Sequence, residues 1–237
     1  MLGLDLLYDT VSVKTISSKD TTLITNAKSY FEILPIFNTG AVFIGKARGG
    51  TYQAAALFRF MDIPDYKSTL TLDSIVSVSL KFYSGSYAFG DTTSSGNKLE
   101  FEIHRIDSLW TNLVRWDSMF TASGSINPDP SYPYINPAVI GRYSGTLPVT
   151  KVDSVTFKVD TLEIQLDKQL AIDWFKWQSD TSIKIRSLNM GLALVPTNNS
   201  NIIRQFSSQA VTSSNIHPLV KVVYIDSLGA LDSIIMH

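Results

Sequence analysis

Acid–base chemistry in this chain would have to be built from three histidines, four glutamates and seventeen aspartates. His104, His217 and His237 form neither an HExxH nor an HxH pair, the spacings that put two imidazoles on one metal. Glu100 and Glu102 lie two apart, on one face of an alternating strand. A glycosidase needs two carboxylates facing each other across a scissile bond. Two on one strand face read more simply as a solvated edge, with His104 solvated beside them. No GxSxG elbow, GxGxxG turn, P-loop or EF-hand loop is present. The absence of cysteine removes disulfides, zinc–thiolate sites and thiol catalysis. The sequence therefore predicts a protein that is not an enzyme.

Binding chemistry has more to work with. Sugars present C–H faces that stack on flat rings, and their hydroxyls pair with Asp, Asn, Arg and Lys. A carbohydrate platform thus needs exposed Trp or Tyr beside polar side chains. Tyr132, Tyr134 and Tyr143, with Arg142 between them, fall in a proline-rich stretch. Tyr83 and Tyr87 flank a Gly/Ser-rich one. Lys46 and Arg48 follow Gly45 in a tight loop and suit an acidic polysaccharide, although a solvated turn is the simpler reading. Tyr132-Pro133-Tyr134 has its own alternative, packing of the loop onto the body.

The elements that would carry these residues are strands. Val76 to Phe82, Leu99 to Ile103, Val155 to Val159 and Leu162 to Leu166 alternate apolar with polar residues. That is the pattern of antiparallel sheets with one wet face. The phase shifts at Asp160-Thr161, where a turn or bulge is expected. Ala54 to Met61, Met190 to Leu194 and Leu219 to Ile225 read as central strands. Of the 17 aspartates, 11 are followed directly by Ser or Thr. Such side chains hydrogen-bond nearby backbone groups, so most of this acidity is turn chemistry. One helix is expected, with Asp167 as N-cap and Leu170, Trp174 and Trp177 on one stripe. Arg59 ends a strand and is expected to pair an acid or cap carbonyls. Trp110 and Trp116 flank a six-residue step after a strand, which suggests one ring in a core and one at its rim. Ser84 to Asn97, Thr121 to Pro148 and Pro196 to Asn201 read as irregular. A second short amphipathic stretch, Leu228, Leu231, Ile234 and Ile235, ends the chain.

The 237 residues, 44% hydrophobic and 17% charged, suffice for one large all-β core. A net charge of -1 gives no electrostatic footprint for nucleic acid. No apolar run approaches a membrane span. No signal peptide is visible, so either the protein is cytoplasmic or the sequence starts at a trimmed mature end.

With these pieces placed, the chain resembles the DNRLRE-domain family of bacterial extracellular modules, grouped with carbohydrate-binding modules. The resemblance spans about Tyr30 to Ile225. It is carried by Ala41-Val42-Phe43-Ile44-Gly45, the loop Lys46 to Tyr52, Ala56-Leu57-Phe58-Arg59-Phe60, Ile63-Pro64 and the strand Ile75 to Tyr83. Trp110 and Trp116, the helix Leu170 to Trp177, Gly191-Leu192, Phe206 to Gln209 and Pro218 to Tyr224 follow in the same order. The chain departs from the pattern at Arg115, usually Thr, in the long segment after Trp116, and in lacking the DNRLRE hexapeptide itself.

The resemblance implies a jelly-roll-like antiparallel β-sandwich with one short helix, from residue 29 to 226. It also implies a non-catalytic module on the cell surface or outside the cell, binding polysaccharide. The opening Leu2 to Leu7 is similar to the start of some mature bacterial surface lipoproteins. Calcium is an ion such sandwiches accommodate, but no ligand spacing here specifies it. The alternative is a structural or adhesive surface protein. In that case the arm 1–28 or the apolar tail 227–237 would dock on a cell-surface protein or a second copy, rather than fold back on its own domain.

Overall fold

Strand β4, Ile75–Gly90, organises the molecule. Its first half alternates core residues, Val78, Leu80 and Phe82, with Ser79, Lys81 and Tyr83. That half pairs with β7 (Thr161–Leu166) and with β10 (Leu219–Ile225). Its second half pairs with β9, Ile202–Ser207. The register shifts between Ser84 and Ala88, where β4 carries four steps against two on β9. A bulge of this kind bends a strand and increases its twist, which lets β4 pass from one sheet into the other.

The computed structural model describes residues 40–60, 63–65, 70–93, 97–108, 110, 114–129, 135–147, 161–180, 191–208 and 217–237. The arm 1–28 and the strand expected at Val155 to Val159 lie outside the described residues, as does the phase shift at Asp160.

The architecture is all-β and antiparallel, as the alternation predicts. A smaller sheet holds β2 (Tyr52–Ala54), β1 (Ala41–Ala47), β9 and the end of β4. A larger sheet holds β3 (Ala56–Arg59), β8 (Gly191–Pro196), β5 (Lys98–Ile106), β6 (Ile135–Thr146), β7, the start of β4, β10 and β11 (Leu231–Met236). The pairing path runs from β2 to β3, and only Ala55 separates these two strands in sequence. The sheet therefore wraps nearly closed around its core, like a flattened barrel. Residues Ala54 to Arg59 are not one central strand: they break at Ala55 into the two ends of that path.

Ile44, Phe58, Phe82, Phe101, Leu192, Phe206 and Val222 meet in the core. Helix α2, Gln169–Ser179, covers one part of it with Leu170, Trp174 and Phe175. Trp174 is fully buried against Phe60, ring centroids 5.7 Å apart. The N-cap is Lys168, whose side chain makes no cap bond, rather than Asp167; the Asp167 carboxylate, one residue earlier, accepts the Gln169 N–H at 2.9 Å. Arg105 joins this helix to β5 through Asp107 and Asp173, and lies over the Trp177 ring.

A second cluster, Ile106, Met119, Phe120, Ile135, Ala193 and Val195, lies on the other face of β5 and β8. It includes the single helical turn α1, Trp116–Met119, which the sequence pattern does not reveal. Trp110 and Trp116 are both half-buried on this cluster, so neither ring sits in the main core. β8 is buried on both faces because the two clusters sandwich it. Arg59 caps a carbonyl, that of Trp110, and lies over the same ring.

Two stretches read as irregular are strands. β4 continues through Ser84 to Gly90, and β6 takes up Ile135 to Thr146. Pairing with β9 and β5 overrides their weak intrinsic strand preference. The chain's last stretch is a hairpin strand: β11 pairs with β10 from Leu231↔Ile225 to Met236↔Val220. Met236 is buried in the main core, so residues 231–236 belong to the sandwich itself rather than to a separate tail.

Candidate functional site

The outer face of the smaller sheet carries an exposed aromatic strip. Along β1, Val42 and Ile44 point into the core and Phe43 points out. Along β9, Ile202, Arg204 and Phe206 are buried while Gln205 is directly opposite Phe43 in the register. On β4, Tyr87 and Phe89 share one face by strand alternation. Phe43 and Tyr87 meet edge to face, centroids 5.6 Å apart. Tyr52 and Phe89 do the same at 5.2 Å. Phe43, Tyr52 and Tyr87 are 40%, 46% and 51% exposed, so each keeps much of its surface open to solvent.

Glycines leave room for this surface. Gly45 has φ 138°, and a Cβ there would stand 2.0 Å from the Ile202 carbonyl oxygen, so only glycine lets β1 approach β9. At Gly85 a Cβ would collide with the Gln205 side chain, which lies across that position.

Arg48 stands at the end of the strip, in the β1–β2 turn. Its φ is 51°, a left-handed conformation that costs a side-chain-bearing residue about 1–2 kcal/mol. Gly50 N–H donates to the Ala47 carbonyl at 3.2 Å, and the Thr51 N–H and hydroxyl donate to the Arg48 carbonyl at 3.3 and 2.9 Å. The guanidinium lies 5.6 Å from the Tyr52 ring centroid and 5.4 Å from that of Phe89. It borders an open groove of about 510 Å³ whose lining includes Phe89, Asp91 and Asn201. The Asp91 carboxylate accepts the Thr93 N–H and hydroxyl at 2.9 and 2.7 Å, bonds that hold it ionised below its ordinary value.

Asn201, which lines the groove, ends the polar turn Pro196 to Asn201, and two latches fix that turn. Glu100 on β5 accepts hydrogen bonds from Asn199 and Thr197, both at 2.8 Å, with Lys98 and Ser144 each at 3.0 Å. Asn199, then Lys98 and Thr197, hold its carboxyl down to about 2. On β1 the Lys46 ammonium donates to Asn198 Oδ1 at 2.8 Å and to the Ser123 carbonyl at 3.3 Å. Asn201 N–H then closes onto the Lys98 carbonyl at 2.9 Å, and Asp91 N–H onto the Asn201 carbonyl at 3.1 Å.

Of the residues singled out in the sequence, Arg48 and Tyr87 come together on this face. Lys46 does not reach it as a free cation, being buried and engaged as a latch. Arg142 and Tyr143 sit on β6 of the larger sheet rather than in a loop. Arg142 pairs with Glu102 at 2.6 Å, and Tyr143 is half-buried against Phe101 at 5.4 Å. Tyr132 and Tyr134 lie outside the described residues. The strip adds Phe43, Tyr52, Phe89 and Gln205. The alternation Tyr87-Ala88-Phe89 was the signal for Phe89, hidden by the Gly/Ser composition around it.

His104 is buried, not solvated. Its Nδ1 meets the Asn136 carbonyl at 3.1 Å, and its Nε2 lies 3.7 Å from Glu102. β6 bulges between Gly141 and Val139 and again between Val139 and Ile135, the second bulge spanning Asn136, whose carbonyl meets the imidazole. Burial pushes its pKa down. Glu100, strongly ionised and fully engaged, has no proton to give as a general acid. Among the described residues no group of three or more His, Asp and Glu gathers to hold a metal ion, and no helix is long and apolar enough to cross a membrane. No known family, curated protein or solved structure matches this chain.

Proposed function

We propose that the protein is a non-catalytic extracellular module that binds polysaccharide on the outer face of its smaller sheet. The observation that carries this reading is the row of Phe43, Tyr87 and Tyr52, exposed on one sheet face with the half-buried Phe89 between them and a polar groove beside them. Exposed rings in a row suit the C–H faces of successive sugars, and Gln205, Asp91 and Asn201 supply partners for hydroxyls. Binding sites built on strands rather than loops hold their geometry without ordering on binding. Isothermal titration against a panel of neutral and acidic polysaccharides tests it, with Phe43→Ala and Tyr87→Ala as controls. Failure of every polysaccharide to bind the wild-type protein sinks it.

A second reading, assembly with further copies, is favoured by β11. Among the described residues it pairs with β10 alone, and Leu228 and Leu231 beside this edge are 90% and 70% exposed. An edge without lysine, proline or a bulge is a template for another strand. Light scattering separates the two: a dimer that dissociates on Leu231→Lys supports assembly, and a monomer at all concentrations excludes it.

A further inference from the structure

On the reading of the aromatic strip as a sugar platform, we propose that the groove at its end takes a sugar carboxylate. The ligand is then an acidic polysaccharide built from uronic acids, with Arg48 as the specificity-determining residue. Four features of Arg48 point there.

The guanidinium is exposed and borders the groove. Two aromatic rings 5.2 Å apart hold it, each within 6 Å of its central carbon. Its backbone is pinned in the left-handed region by the turn bonds of Gly50 and Thr51. Finally, no carboxylate pairs with it among the described residues.

A cation that the fold positions at this conformational expense, but leaves without an acid, is arranged for an acid that arrives from outside. Its planar fork matches a carboxylate with two parallel N–H···O bonds. Asp91 is the nearby negative group in the groove. Its Oδ1 is turned onto Thr93, which leaves it as an acceptor for hydroxyls and confines the ligand's carboxylate to the Arg48 end. A groove of about 510 Å³ lies within the usual range of small-ligand clefts, about 300–1,000 Å³. The same ring that holds the guanidinium, Phe89, continues the strip, so a sugar stacked there would present its neighbour to Arg48.

The test compares one polymer with and without its charge. Polygalacturonate and its methyl ester, with alginate as a second uronate, are titrated into wild type, Arg48→Gly and Arg48→Gln. Glycine is at home at this φ, so Arg48→Gly should fold at least as well, which a melting curve verifies. The expected result is binding of a uronate polymer by wild type. Affinity should fall about tenfold or more on methyl esterification, and by a similar factor in both variants, as for loss of a charge-assisted bond. Equal affinity for the acid and ester forms, or binding of neutral polysaccharides only, overturns the carboxylate assignment and leaves the platform intact. No binding of any acidic or neutral polysaccharide removes the platform reading and this assignment with it.

Discussion

Phe43 on β1 and Tyr87 on β4 meet edge to face at 5.6 Å across the intervening strand β9. An edge-to-face pair adds about 0.5–1.5 kcal/mol beyond its buried area, and Phe43 and Tyr87 stay 40% and 51% exposed. Their removal should therefore cost the fold little and the ligand much. Tyr87→Ala is expected to lower the unfolding free energy by about 1–2 kcal/mol, well short of a core truncation. It should also weaken polysaccharide binding severalfold or more. Thermal melts and titrations on the same preparations check both halves. A large loss of stability with unchanged binding would make the pair a cross-strand clamp instead.

Glu100 provides a pH prediction with a definite sign. Its carboxyl is held down to about 2 by Asn199, Lys98 and Thr197. A carboxylate with a folded pKa below its unfolded one, about 4.3, binds protons later than the unfolded chain. Its contribution is fully present above the unfolded value and is lost as pH falls through about 2. Glu100→Gln should thus destabilise the protein at pH 7, by about 1–3 kcal/mol for hydrogen bonds to a charged group. The difference from wild type should shrink between about pH 4 and pH 2. Denaturant melts across that range would show it, and a constant difference down to pH 2 would contradict the latch.

How much of this arrangement the sequence disclosed depends on where the deciding contacts lie. α2 was legible because Asp167, which accepts its first N–H one residue ahead of the N-cap Lys168, and its stripe, Leu170 and Trp174, are local. β5 was legible because Leu99, Phe101 and Ile103 alternate without interruption. Asp91 and Asp226 act as the turn residues their Ser/Thr neighbours suggest: Asp226 Oδ1 accepts the N–H of Leu228 and of Ala230, both at 2.8 Å. The aromatic strip was not legible, for two reasons. In Ala41-Val42-Phe43-Ile44 every position is apolar, so the run does not say which side chain faces out. From Ser84 to Gly90 the strand exists because β9 pairs with it, and Gly and Ser carry no propensity that announces the pairing. Lys46 and His104 were misjudged for a related cause. What engages them comes from about 30 to 150 residues away, beyond the reach of any local pattern.

The burial of His104 supplies a second pH window, separate from that of Glu100. Nδ1 toward the Asn136 carbonyl requires the Nδ1–H tautomer, which leaves Nε2 to take up the acid proton. Burial lowers the pKa below its ordinary value, partly opposed by Asn136 and Glu102. The folded state thus favours neutral imidazole. That contribution is complete above the unfolded pKa of about 6.5 and is lost as pH falls through the folded value. Wild type should lose melting temperature from pH 7 toward pH 5, and His104→Gln, which cannot ionise, should show a flatter profile there. Parallel profiles for the two proteins would place the acid sensitivity elsewhere.

Lys46 separates structural from ligand-binding cations. Its ammonium is buried and donates to Asn198 Oδ1 and the Ser123 carbonyl, so it holds the turn that brings Asn201 to the groove without itself lining the groove. Lys46→Met keeps the aliphatic stem and deletes the two bonds, leaving Asn198 without this donor. The expected loss is about 1–3 kcal/mol, the usual penalty for an unmade bond at a buried site. Binding of polysaccharide at temperatures well below the melt should change far less than in Arg48→Gly, because Lys46 acts on the ligand only through the position of Asn201. If Lys46→Met and Arg48→Gly weakened binding equally while Lys46→Met left the melting temperature untouched, Lys46 would have to reach the ligand itself. The latch between β1 and the Pro196 to Asn201 turn would then be open in solution.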